Sequence, residues 1–115
     1  MARAVINPNM VYGGQEVQDQ WLTRYLAGLG PRSALSIIWE SILRCERNHA
    51  DGFEDEEDQG FFDNDVDTVG ILLNSQYRDR RAQFEENAWR CLFNKYKHLK
   101  LLVKTKPTQN FAWEV

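Results

Sequence analysis

Apolar residues recur every three or four positions through most of this chain, and that spacing constrains the fold more than any other feature. Residues at this spacing share one face of an α-helix, whereas a half-buried strand alternates apolar and polar residues. The pattern covers three segments, roughly 15–28, 34–48 and 66–101. Such helices bury their apolar faces against one another. We therefore predict an all-α fold: one domain over 1–115, a small bundle of three to four amphipathic helices with an acidic loop and extended termini.

Glycine, proline and serine mark the predicted ends of the first two helices. The breakers Pro8 and Gly13-Gly14 predict an extended arm over 1–14. Gly30 accepts the left-handed conformation that ends a helix, and Pro31 cannot continue the hydrogen-bond ladder. Ser33 is a suitable N-cap for the second helix, which we expect to end before Asp51-Gly52.

The last apolar pattern is long enough for one helix or for two. Gly70 weakens its first part by about 1 kcal/mol relative to alanine, so we favour a short helix and then a longer one over about 75–101, with the break near Asn74-Ser75. A C-terminal tail over 104–115 follows, in which Trp113 and Val115 alternate as in a strand.

The charges of the chain are strongly separated along the sequence. Eight acids and no base lie between Glu54 and Asp67, while nine bases and three acids lie between Arg78 and Lys106. Like charges repel, so we predict a solvated acidic loop over 51–64. The densest part of this loop is a candidate docking site for a basic surface of another protein. It consists of Glu54, Asp55, Glu56, Glu57 and Asp58.

Composition restricts the class of protein further. The chain is 43% hydrophobic, which supplies enough apolar material for a core, but no stretch approaches the roughly 18 apolar residues of a membrane span. Nothing at the start of the sequence resembles a signal peptide, so we expect an intracellular, cytoplasmic protein, with a nuclear one also possible. Two cysteines are too few for a disulfide framework, and we expect Cys45 and Cys91 to be reduced and buried.

The motifs of common enzymes and cofactor sites are absent from the sequence. Cys45 and His49 stand one helical turn apart, but Cys91 and His98 are about 10 Å apart along a helix and cannot join them on one zinc ion. An acidic run beginning at Asp63 has the first spacings of a calcium loop without its glycine or final glutamate. We therefore expect no enzyme activity, no cofactor and no metal site.

The last predicted helix carries a second apolar stripe made of aromatic residues. Trp89, Phe93 and Tyr96 recur at i, i+4 and i+7, and the cations Arg90 and Lys97 flank them. With two stripes, the helix is apolar over more than half its circumference. A helix of that kind is either central in its own bundle or half-covered by a partner.

These patterns lead to two hypotheses about function. The first is a non-enzymatic protein-protein interaction module, an adaptor or a subunit of a larger assembly, which binds a protein partner or a second copy of itself through the aromatic stripe. The second is a small inhibitor whose acidic loop occupies a basic or nucleic-acid-binding surface of its target. The mild net charge of −3 and the acids before the basic segment argue against direct nucleic-acid binding, and we expect no membrane contact.

Overall fold

Four α-helices follow one another along the part of the chain that the structure describes. The computed structural model describes the backbone of residues 8–50 and 52–104 and the side chains of residues 14–50 and 52–103. The helices are α1 (Pro8–Leu29), α2 (Ala34–His49), α3 (Glu56–Arg80) and α4 (Glu86–Lys104), and a 3-10 turn (Arg81–Gln83) separates the last two. No strand occurs in this part of the chain, so the predicted all-α bundle is confirmed.

Helix α1 begins earlier than the sequence predicts. The arm predicted over 1–14 is wrong from Pro8 onward, because residues 8–13 are helical, and residues 1–7 lie outside the described residues. Proline suits the first turn of a helix, since its fixed φ is already helical and its missing N–H would have no partner there. The predicted break is confined to Gly14, whose φ of 81° and ψ of −167° interrupt the helix.

The connection from α1 to α2 follows the predicted capping. Gly30 has a φ of 97°, and its N–H donates to the carbonyl of Leu26 at 3.0 Å, which ends α1. Ser33 is the N-cap of α2, and its hydroxyl accepts from the N–H of Ser36 at 3.2 Å. The Ser36 hydroxyl donates back to the Gly30 carbonyl at 2.8 Å. These bonds satisfy backbone groups that the helix ends leave open, and so fix the turn between the two helices.

The acidic segment is mostly helical rather than a loop. The predicted loop over 51–64 is wrong from Glu56 onward, where α3 begins. Asp55 caps the helix by accepting from the N–H of Asp58 at 2.9 Å, and three acids occupy the first turn. Carboxylates are stabilised at a helix N-terminus by the helix dipole, which offsets their mutual repulsion. Phe62 and Val66 then continue the apolar spacing, and both are buried.

The break in the last apolar pattern lies later than Asn74-Ser75. Asn74 stays inside α3 and donates its side-chain N–H to the Gly70 carbonyl at 2.8 Å. The chain turns instead at the 3-10 segment and at Phe84, which is extended. The phenolic oxygen of Tyr25 accepts from the N–H of Glu85 at 2.9 Å and ties this turn to α1. The last described residue, Lys104, is helical, and the remainder of the predicted tail lies outside the described residues.

Helix α4 packs against all three other helices, and α2 and α3 also pack against each other. The core is formed by apolar side chains from all four helices. Its buried members are Leu22, Leu26, Leu35, Ile38, Trp39, Ile42, Cys45, Phe62, Val66, Val69, Leu73, Ala88, Trp89, Cys91, Leu92 and Leu99. The sequence left two explanations open for the wide apolar surface of α4, and this central position accounts for most of that surface.

Candidate protein-binding surfaces

Trp89 belongs to the core of the bundle. Its side chain is fully buried, and its indole N–H donates to the Arg81 carbonyl at 3.2 Å. The ring packs edge-on against Tyr77 and Phe84, with centroid distances of 5.2 and 5.9 Å. The prediction that Trp89 faces a partner is therefore wrong, because in this fold the ring fills the space between α3, the 3-10 turn and α4.

The other members of the predicted stripe lie at or near the surface. Phe93 is half-buried and packs edge-on against Tyr77, with centroids 5.3 Å apart. Tyr96 is half-buried where α4 crosses Gly70 of α3. Arg90 and Lys97 are exposed. The five predicted residues thus do not form one continuous surface, although four of them remain accessible.

A buried lysine was missed by the sequence analysis. Lys95 keeps only 8% of its side chain exposed, and its ammonium group lies 2.9 Å from Oε2 of Glu46 and 3.3 Å from Oδ2 of Asp19. The same group lies 5.5 Å from the centroid of the Trp39 ring. These contacts connect α4 with α1 and α2. One signal was available, since Lys95 follows Ala88 by seven positions and precedes Leu99 by four, on the inner face of the helix.

A pocket of about 460 Å³ lies where α2 ends and α3 begins. It is lined by Asn48, Gly52, Phe53, Glu54, Asp58, Phe61, Phe62 and Asp65, which we call the acidic aromatic pocket. Phe53 and Phe62 contact each other with centroids 5.2 Å apart, and His49 packs against both rings. Phe61 is 59% exposed, and it is the only aromatic residue among the large apolar side chains that are exposed in the described part of the chain.

The acidic aromatic pocket contains three of the chain's carboxylates. Glu54, Asp58 and Asp65 line it, and none of them forms an ion pair with a residue in the described part of the chain. Arg44 shares a smaller neighbouring pocket with Asp65 without pairing with it. The other predicted acidic residues, Asp55, Glu56 and Glu57, are exposed beside the pocket. Two of the five predicted docking residues, Glu54 and Asp58, thus line a pocket together with Phe53, Phe61 and Phe62.

Both cysteines are free and buried, as predicted. Burial raises the pKa of the Cys91 thiol from 9.0 to about 12, and Asp19 adds to this effect while Arg90 opposes it. Burial is also the main cause that raises the pKa of Cys45. Thiols held in the neutral form are poor nucleophiles and poor metal ligands. Among the described side chains, those of residues 14–50 and 52–103, no group of three or more potential metal ligands comes together.

Comparisons with known proteins returned no match: no family model, no curated protein and no solved structure is similar to the chain. Among the described helices, none combines the length and the apolar character that crossing a membrane requires.

Proposed function

We propose that this chain is a non-enzymatic binding protein that engages a basic segment of a protein partner through its acidic aromatic pocket. The observation that carries the proposal is Phe61, an aromatic side chain 59% exposed beside three carboxylates that lack an ion-pair partner among the described residues. An exposed large ring is a typical anchor of an interface, and unpaired charges select a partner of opposite sign.

The electrostatics of the chain support a basic partner. Glu56 and Glu57 lie in the first turn of α3 next to the pocket, so the negative potential extends beyond the pocket itself. On α4, the ammonium nitrogen of Lys100 lies 3.9 Å from Oδ1 of Asp67, which is further along α3. Part of the basic face of α4 is therefore neutralised within the molecule. The acids at the start of α3 have no such counterpart in the described ion pairs. Clustered charge of one sign speeds association with a partner of the opposite sign.

Calorimetry with charge-matched variants tests this proposal. One variant neutralises the pocket region with Glu54→Gln, Glu57→Gln, Asp58→Asn and Asp65→Asn, and keeps the helix cap Asp55. The control neutralises four acids elsewhere that are exposed: Glu16→Gln, Glu40→Gln, Asp79→Asn and Glu85→Gln. The probe is a peptide of alternating arginine and glycine. We expect the pocket variant to bind at least about tenfold more weakly than the control, a difference of about 1.4 kcal/mol. Equal affinities would refute the proposal.

A second candidate function is self-association through α3 and α4. Ile71 is 72% exposed and Leu101 is 57% exposed, and such apolar side chains become buried when a two-fold axis pairs two copies. Light scattering on the wild-type protein and on an Ile71→Ser, Leu101→Ser variant tests it. The candidate predicts a dimer that dissociates in the variant, and a wild-type monomer at all concentrations contradicts it.

A further inference from the structure

We infer that the acidic aromatic pocket holds one arginine side chain of the basic partner. The inference rests on the proposed function and adds to it the chemical group that is recognised. A volume of about 460 Å³ falls within the range of ligand-binding pockets, which is roughly 300 to 1,000 Å³. The pocket is therefore large enough for a whole side chain rather than for a single ion.

The walls of the pocket favour a long side chain with an apolar stem. Phe53 and Phe61 supply two aromatic rings that are at least partly exposed, and Phe53 is fixed by packing against His49 and against the buried ring of Phe62. Arginine and lysine bury their methylene stems against surfaces of this kind while their charged heads remain near polar groups. A short cation or a metal ion would leave these rings uncovered.

The carboxylates favour a cationic head and exclude an anionic one. Glu54, Asp58 and Asp65 contribute three negative charges to one lining, and the lining contains no lysine or arginine. Among cations, the planar guanidinium group can stack on an aromatic face and donate two parallel hydrogen bonds to a carboxylate. The ammonium group of lysine can do only part of this, so arginine is the better fit for a pocket that combines rings with carboxylates.

Binding of a single-arginine peptide tests the inference. The probes are an acetylated, amidated glycine peptide with one central arginine, and the same peptide with citrulline, which keeps the shape and removes the charge. Variant Phe61→Ser removes the exposed ring, and Ile71→Ser is its control on the same helix, because Ile71 is also exposed but lies outside the pocket lining. Glu54→Gln has Glu40→Gln as its control, since both glutamates are exposed. Circular dichroism verifies that each variant keeps its helices.

We expect the arginine peptide to bind, and the citrulline peptide to bind at least about tenfold more weakly. Phe61→Ser should weaken arginine binding about fivefold, as expected for loss of one cation–π contact, while Ile71→Ser leaves it unchanged. Equal binding of arginine and citrulline, or equal effects of Phe61→Ser and Ile71→Ser, would overturn the inference. If the alternating arginine-glycine peptide still requires the acids, the proposed function survives that result. If neither peptide binds, both fail.

Discussion

The hydroxyl of Tyr96 lies so close to Gly70 that a β-carbon on this glycine would collide with it. Gly70 is buried in the middle of α3, and its hydrogen atom is all that separates the helix backbone from the tyrosine ring of α4. A glycine inside a helix is ordinarily a weak point, because it loses more backbone entropy on folding than alanine does. Here the glycine permits the close approach of α3 and α4.

This close approach predicts that the effect of Gly70→Ala depends on Tyr96. In the wild-type background, the added methyl group collides with the ring, so we expect the free energy of unfolding to fall by about 1 to 3 kcal/mol. In a Tyr96→Ala background the space is open, and the same substitution should stabilise the protein by up to about 1 kcal/mol through helix propensity. Urea denaturation of the four proteins in this cycle measures both values. Destabilisation of the same size in both backgrounds would contradict the contact.

Lys95 predicts a second pattern of stability changes. Lys95→Met removes the cation between Glu46 and Asp19 and leaves two carboxylates facing each other, so we expect a loss of about 1 to 3 kcal/mol. Adding Glu46→Gln and Asp19→Asn removes the repulsion and should restore most of the stability. Thermal denaturation at neutral pH compares the variants. A triple variant as unstable as Lys95→Met would contradict repulsion between the two carboxylates as the cause of the loss.

Trp89 is expected to stabilise the fold rather than bind a partner. Trp89→Ala should lower the free energy of unfolding by about 3 to 5 kcal/mol, because it leaves a large cavity and removes a buried hydrogen bond. Leu101→Ala, which truncates an exposed apolar residue of the same helix, should change it by less than about 0.5 kcal/mol. Chemical denaturation measures both. If Trp89→Ala folds with wild-type stability, the burial of Trp89 in the core is contradicted.

Cys91 predicts a loss of stability in alkaline solution. The folded state raises the pKa of this thiol from 9.0 to about 12, so in that range the unfolded chain releases a proton that the folded chain retains. The contribution of the buried Cys91 thiol to stability is complete below the pKa of the unfolded chain, 9.0. It is lost as the pH rises towards the pKa of the folded protein, about 12. Wild-type protein should therefore lose more stability than Cys91→Ala between about pH 8 and about pH 11. Parallel curves for the two proteins would contradict the burial of the thiol.

The sequence predicts helices well where one strong periodic pattern lies between capping residues. Helix α2 is the clearest case, since Ser33 and Gly52 mark its ends. The members of its periodic apolar stripe are all buried: Leu35, Ile38, Trp39, Ile42 and Cys45. The acidic segment was misassigned because repulsion between neighbouring carboxylates was considered without the helix dipole and the cap that offset it. The break after α3 was misplaced because Gly70 was treated as a weakness, whereas its role depends on Tyr96, a residue 26 positions away.

The candidate pocket was predicted only in part. Charge density along the chain identifies Glu54 and Asp58, but the spacing that puts Asp58, Phe61 and Asp65 on one helix face is informative only once residues 56–65 are known to be helical rather than a loop. That arrangement follows from the turn between α2 and α3, which brings residues on either side of Gly52 together. The aromatic stripe was misleading for the opposite reason. A periodic pattern identifies an apolar face, but only the packing of the other helices decides whether Trp89 on that face is covered.

Mapping of backbone amide resonances tests the central claim most directly. Isotope-labelled protein is titrated with the single-arginine peptide at about 100 mM salt, where long-range attraction between exposed charges is largely screened. We predict that the shifted resonances cluster at residues 52–65, around Phe53 and Phe61, and that the citrulline peptide leaves them unchanged. Shifts spread over all the acidic residues, or concentrated at Phe93 and Tyr96, would contradict the account.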